Sequence, residues 1–167
     1  KLNFLFKNKK IILIPISRNL IDTIWYKKPK DLIKPFFSLS KKAAGQSSQE
    51  KITKVKNVLL KNKVDYLLIT APENIAWILN IRGHDSAFSP IPNARLLINN
   101  KGDIDLFAQL EKLTKIKRIL SNKIKFHEEN IIEKKLSHLL KNDIWLDSLS
   151  CSIHYKNLLR KRNKIIE

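Results

Sequence analysis

Between Ser47 and Leu60 the apolar residues Ile52, Val55, Leu59 and Leu60 recur at helical spacing, with lysines between them. That pattern predicts a helix that starts at Ser47 or Ser48 and closes at Asn62. The pattern then changes. Val64–Thr70 has the length and the apolar run of a buried strand. Pro72 follows at a favourable first-turn position for a helix through Trp77 and Leu79. An irregular loop with Gly83, Pro90 and Pro92 leads into "ARLLIN", "NKG" and "DIDLF", which predict a hairpin turning at Asn100, Lys101 and Gly102. Further on, the spacing predicts a helix from about Leu110 to Leu120 and a strand at "KIKFH". A helix with Ile132, Leu136, Leu139 and Leu140 on one face, a strand at "DIWLD" and a last helix from about Ser152 complete the series. Helices alternating with short strands, plus one hairpin, indicate an α/β layer with a mixed β-sheet flanked by helices.

The first quarter of the chain is less regular. Ile11–Ile16 is a strand candidate, and "SRNLIDTIW" predicts a short helix capped by Ser17 or Asn19. From Tyr26 to Ser48 no period is sustained, and Pro29, Pro35 and Gly45 mark a partly extended linker.

Composition narrows the classes. At 167 residues there is room for one ordinary domain and a piece of another. No window approaches the roughly 18 apolar residues of a membrane span. The lysine-rich amino terminus also lacks the small-residue cleavage site of a signal peptide. The chain has no methionine, starts at Lys1 and ends at Glu167 within a run that reads as helix, so a slice of a longer protein is expected. A formal charge of +18 invites a nucleic-acid reading. Lysine far outnumbers arginine, however, and is spread along the chain, whereas base and phosphate readout favours clustered arginine. Cys151 is the single cysteine, which excludes an internal disulfide framework and a cysteine-based zinc site and fits a reducing compartment.

Few residues tempt a chemical reading. His84, Asp85 and Ser86 are the residue types of a catalytic triad, but neighbours in sequence cannot place the base between nucleophile and orienter. "HEEN" at His127 starts like a zinc-helix motif, yet Ile131 stands where the second histidine belongs, so helix-start charge is the expectation there. His138 and His154 fall on predicted helices without a partner at ligand spacing. The three glycines are too far apart for a phosphate loop. The cluster from Asn80 to Asp85 differs. A helix stop explains Gly83 but leaves Arg82, His84 and Asp85 over. Arg82 and Asp85 are spaced to pair across the loop, or to bind main chain, and so hold a charged edge in one shape.

With those residues in view, "TAPENIAWILNIRGHDSAFSPIPNARLLI" resembles the middle domain of the three-domain Xaa-Pro aminopeptidases, the aminopeptidase P group, whose signature has the form "AWLLNxRGxDxxxxP". "ILIPISRNLIDTIW" resembles the tail of that family's first domain, and "KKPKDLIKPFFSLSKKAAGQSSQEKI" its proline-containing linker. "DIDLFAQLEKL" and "IWLDSLSCSIHYKNLL" resemble the later strands and last helix of the middle domain. The resemblance implies a creatinase N-terminal-like (ribonuclease H-like) fold. It also implies a first-domain remnant over 1–25, a linker over 26–46 and a second creatinase-like domain over 47–167.

In that family the peptidase chemistry belongs to a C-terminal domain with two divalent metals, usually manganese, so the resemblance implies no catalytic and no metal-binding residue in this chain. Asn80, Arg82 and Asp85 occupy signature positions, and His84 a variable one. All four become candidates for lining the substrate cleft, with Gly83 as the structural turn. The implied partners are the catalytic domain and short peptides with proline second, with a possible homodimer of the parent. The implied setting is cytoplasmic, with no membrane and no specific nucleic acid. Two other readings stay open: a peptide- or protein-binding module of a pseudo-peptidase, and a basic RNA-binding α/β domain.

Overall fold

The computed structural model describes residues 6, 9–14, 16, 18–27, 29, 33–120 and 122–167. The chain forms two units, Lys1–Asp31 and Leu32–Glu167. In the first, α1 (Leu20–Ile24) is capped by Asn19, whose Oδ1 accepts from the Ile21 amide at 3.0 Å. Ser17, the other expected cap, lies outside the described residues. The strand expected at Ile11–Ile16 does not form among its described residues, and Ile12 and Ile14 are 84% and 78% exposed. An apolar run becomes a strand only where a neighbouring strand accepts its hydrogen bonds, and the described residues of this unit include none.

The second unit is built on a six-stranded mixed sheet of order β6-β5-β4-β2-β7-β8. Its strands are β2 (Tyr66–Ile69), β4 (Arg95–Asn99), β5 (Ile104–Phe107), β6 (Ile124–His127), β7 (Asp143–Leu146) and β8 (Lys164–Ile166). The β4–β5 hairpin is antiparallel, as is β2 with β4, while β5–β6, β2–β7 and β7–β8 are parallel. Side chains alternate across the sheet. Leu96, Ile98, Ile104 and Leu106 enter one apolar cluster, while Leu68, Leu97, Phe107, Ile144 and Leu146 enter the other.

Helix α3 (Ser48–Lys61) begins with a reciprocal capping box, in which the Ser47 side chain accepts from the Glu50 amide and Glu50 reaches back to the Ser47 amide at 2.7 Å. It shares the first cluster with α4 (Pro72–Leu79). On the opposite face α6 (Ile132–Ser137) and α7 (Ile153–Arg160) cover the second cluster.

Four stretches of this unit depart from the sequence expectation. Part of the expected linker is structured: β1 (Phe37–Ser38) pairs with β3 (Ile81–Arg82), and α2 (Lys41–Ala44) follows. Phe36 is fully buried and its amide donates to the Lys112 carbonyl at 2.7 Å. That carbonyl is thereby engaged, and the helix expected to run to Leu120 stops. α5 (Leu110–Leu113) gives way to a 3-10 turn at Ile116–Arg118, with Leu113, Ile116 and Leu120 still inward. The run to Glu167 is not helical either. Asn163 donates from Nδ2 to the Leu139 and Leu159 carbonyls at 2.9 and 3.0 Å and accepts from the Asn142 amide. These bonds end α7 and turn the chain into β8, a strand absent from the sequence expectation. Likewise α6 stops at Ser137, leaving Leu139 buried beyond its end and Leu140 exposed.

Candidate functional site

Helix α4 ends on Asn80, which adopts the left-handed conformation at φ 53° and ψ 35°. Asparagine tolerates that region better than most residues. Its amide is buried and bonded at both ends: Oδ1 accepts from Lys51 Nζ at 2.6 Å, and Nδ2 donates to the Gln46 carbonyl at 2.7 Å. Lys51 Nζ also donates to the Trp77 carbonyl at 2.9 Å and lies 4.7 Å from the centroid of the Trp77 ring. Arg82 Nη1 donates to the Ala76 and Ile81 carbonyls, both at 2.9 Å. Two cations thus satisfy the last-turn carbonyls of α4, where the helix dipole is negative. Burial lowers the Lys51 pKa, and the nearby Arg82 charge lowers it further.

Gly83 contributes through close approach, its φ lying outside the left-handed region. A β-carbon there would sit 2.8 Å from the Ile91 carbonyl oxygen, 2.9 Å from Pro92 Cα and 3.1 Å from Phe36 Cε1. The left-handed residue of this segment is Asn80, and glycine is required because the Ile91–Pro92 backbone and the Phe36 ring both close on its α-carbon. The Gly83 amide donates to the Pro90 carbonyl at 3.1 Å, closing the loop between them.

Asp85 holds the loop from within. Its Oδ2 accepts from the Asn93 amide at 2.6 Å, and its Oδ1 lies 2.6 Å from Lys112 Nζ. The two side chains of that ion pair are only 12% and 8% exposed. Arg82 and Asp85 therefore do not pair with each other; each takes main-chain partners, and Asp85 adds a lysine that its sequence neighbourhood does not reveal. His84 is exposed and tilts against Phe37, with ring centroids 5.4 Å apart. Phe88, at the outer end of the loop, is fully exposed.

The other histidines lie apart from this cluster. His127 ends β6, and a 3-10 turn at Glu129–Ile131 begins just after it, so the histidine stands at a strand–helix junction as expected. It stacks on Phe107, and its Nε2 lies 2.6 Å from Asp105 Oδ1, which Lys135 Nζ also approaches at 3.2 Å. His138 Nδ1 is 2.5 Å from the Lys134 carbonyl, and His154 forms an exposed pair with Glu133. Among the described residues no three His, Cys, Asp or Glu side chains gather as a metal site would require, so they do not fit a dinuclear centre.

Residues 27–167 match the model of the Creatinase/Prolidase N-terminal domain. A Dictyostelium discoideum protein, "Xaa-Pro aminopeptidase 1", is 30% identical over 146 residues, 83% of this chain and 23% of that one. A "Probable Xaa-Pro aminopeptidase P" of Coprinopsis cinerea is 36% identical over 84 residues, 50% of this chain and 14% of that one. The chain therefore spans under a quarter of the length of these relatives. Among solved structures, an X-prolyl aminopeptidase from Caenorhabditis elegans, described as a cytosolic enzyme with a di-nuclear active site, superposes with a TM-score of 0.81. The identity is 19%, and the match covers 97% of this chain and 28% of that one. An N-terminal creatinase/prolidase-like domain of a putative metallopeptidase from Corynebacterium diphtheriae gives a TM-score of 0.54 at 18% identity, covering 71% and 94%. Signature loop, mixed sheet and family match agree: the chain belongs to the Creatinase/Prolidase N-terminal domain family.

Proposed function

We propose that this chain is the non-catalytic middle domain of an Xaa-Pro aminopeptidase, and that the loop from Gly83 to Pro92 borders the cleft for peptides with proline second. In this reading residues 1–25 are the remnant of a first creatinase-like domain. The parent hydrolyses the bond before that proline with two divalent metals, manganese, held in a C-terminal domain. The parent is cytoplasmic and forms a homodimer. The observation that carries the proposal is the loop itself. Asp85, pinned by Lys112 and the Asn93 amide, fixes its base while His84 and Phe88 face outward. A loop fixed before encounter loses less conformational entropy when it meets a ligand.

The test uses the full-length parent. His84→Ala lowers kcat/KM for Xaa–Pro peptides with Tm unchanged, and Arg82→Ala lowers both. Were both variants to keep kcat/KM within about twofold of the parent, a difference under about 0.5 kcal/mol, the cleft reading would be lost.

A further inference from the structure

A second hollow lies away from that loop, where α3, β2, α4 and the β7–α7 turn meet. Val55, Leu67, Ile69, Trp77 and Ile78 form its walls, and Asn74, Asp147 and Ser150 its polar end. Its volume is about 230 Å³. Whole-ligand pockets run from roughly 300 to 1,000 Å³, so this space suits one side chain and its nearest polar groups rather than a cofactor. Trp77 stays 53% exposed although it belongs to the helix that anchors the signature loop, and the Lys51 ammonium against its ring restrains it.

The polar end has a definite charge. Asp147 Oδ1 accepts from the Leu149 amide at 3.0 Å and Oδ2 from the Ser150 amide at 3.2 Å. Asp147 takes no part in the ion pairs formed among the described residues, in a chain with 33 lysines and arginines. Two amide hydrogen bonds and one from the Ser150 hydroxyl still leave this exposed carboxylate a lone pair for a further donor. An apolar wall beside an unpaired anion complements an apolar side chain beside a cationic nitrogen. The α-ammonium and side chain of an amino-terminal residue have that arrangement, on adjacent bonds of one carbon.

We propose that this hollow binds the amino-terminal residue of a peptide with a bulky aliphatic side chain, its ammonium on Asp147 and its side chain against Leu67, Ile69 and Trp77. The site stands independently of the cleft reading, and the probe therefore lacks proline: Leu-Ala-Ala titrated into the 167-residue chain and followed by amide and indole chemical shifts. Expected are shifts centred on Ile69, Trp77 and Ser150, with affinity falling about tenfold or more in the N-acetylated peptide and in Asp147→Asn, as loss of one charge-assisted hydrogen bond implies. Asn74→Lys, on an exposed rim position that leaves the core untouched, lowers affinity by about the same factor through like-charge repulsion. Equal binding of the free and acetylated peptides would overturn the proposal, as would unaltered affinity in both variants or shifts centred elsewhere.

Discussion

The two halves of the signature segment solve opposite problems within a few residues. Asn80 to Gly83 is an inward knot: a buried amide, a buried lysine, an arginine on two carbonyls and a glycine against three neighbours. His84 and the residues from Ser86 to Phe88 face outward, and Phe88 covers nothing. Asp85 is the hinge between them, since its carboxylate is fixed to Lys112 while the residues after it are displayed. The difference teaches that a polar cluster in sequence need not be one site. Here half of it builds a rigid mount and the other half is what the mount holds up.

Substitutions sharpen that division. Asp85→Ala has the largest expected effect, about 3 kcal/mol of stability, because it strands the nearly buried Lys112 ammonium without its partner. Urea unfolding of the isolated chain measures it, and a loss under about 1 kcal/mol would mean that solvent screens the pair. Lys51→Met comes next. It leaves Asn80 Oδ1 and the Trp77 carbonyl short of a donor, at about 1–3 kcal/mol, and the same unfolding curve reports it. A Met variant as stable as the parent would show that packing of the aliphatic stem outweighs those bonds.

Phe88→Ala lies at the other extreme, within about 0.5 kcal/mol of the parent, since no packing is lost at a fully exposed ring. A drop in Tm of several degrees would place Phe88 with the mount instead. The smallest effect is local and depends on pH. The Lys41 ammonium at 2.8 Å, with the Ser47 amide and hydroxyl, holds the Glu50 carboxyl down to about 2 from 4.5. A carboxyl depressed in the folded state adds stability above its unfolded pKa and loses it as pH falls through the folded one. The first turn of α3 therefore frays as pH drops from about 4.5 towards 2. Amide exchange at Glu50 and Lys51 follows the change, and a flat profile in Glu50→Gln confirms its source.

Much of this was legible because the signals are local. Ser47 marks a helix start, Pro72 a first turn, and Asn100-Lys101-Gly102 a hairpin, and each lies where its pattern points. The misses share a cause. Asn80 depends on Lys51 and Gln46, Asp85 on Lys112, and Phe36 on the Lys112 carbonyl, all contacts between positions far apart in the chain. No period or spacing encodes such pairs. β8 shows the same limit from the other side: two isoleucines are too short a run to announce a strand, and Asn163 with β7 fixes the conformation.

The edges of the sheet give the excess of lysine a different meaning. β6 and β8 are its outermost strands, and among the described residues neither has a strand on its outer side. Lys125 is exposed on β6, and Lys164, on β8, keeps most of its side chain in solvent. An incoming strand of a second molecule would have to desolvate those ammonium groups to continue the ladder. Like charge on like edges resists sheet-to-sheet aggregation, so part of the basic character keeps open edges from sticking to one another.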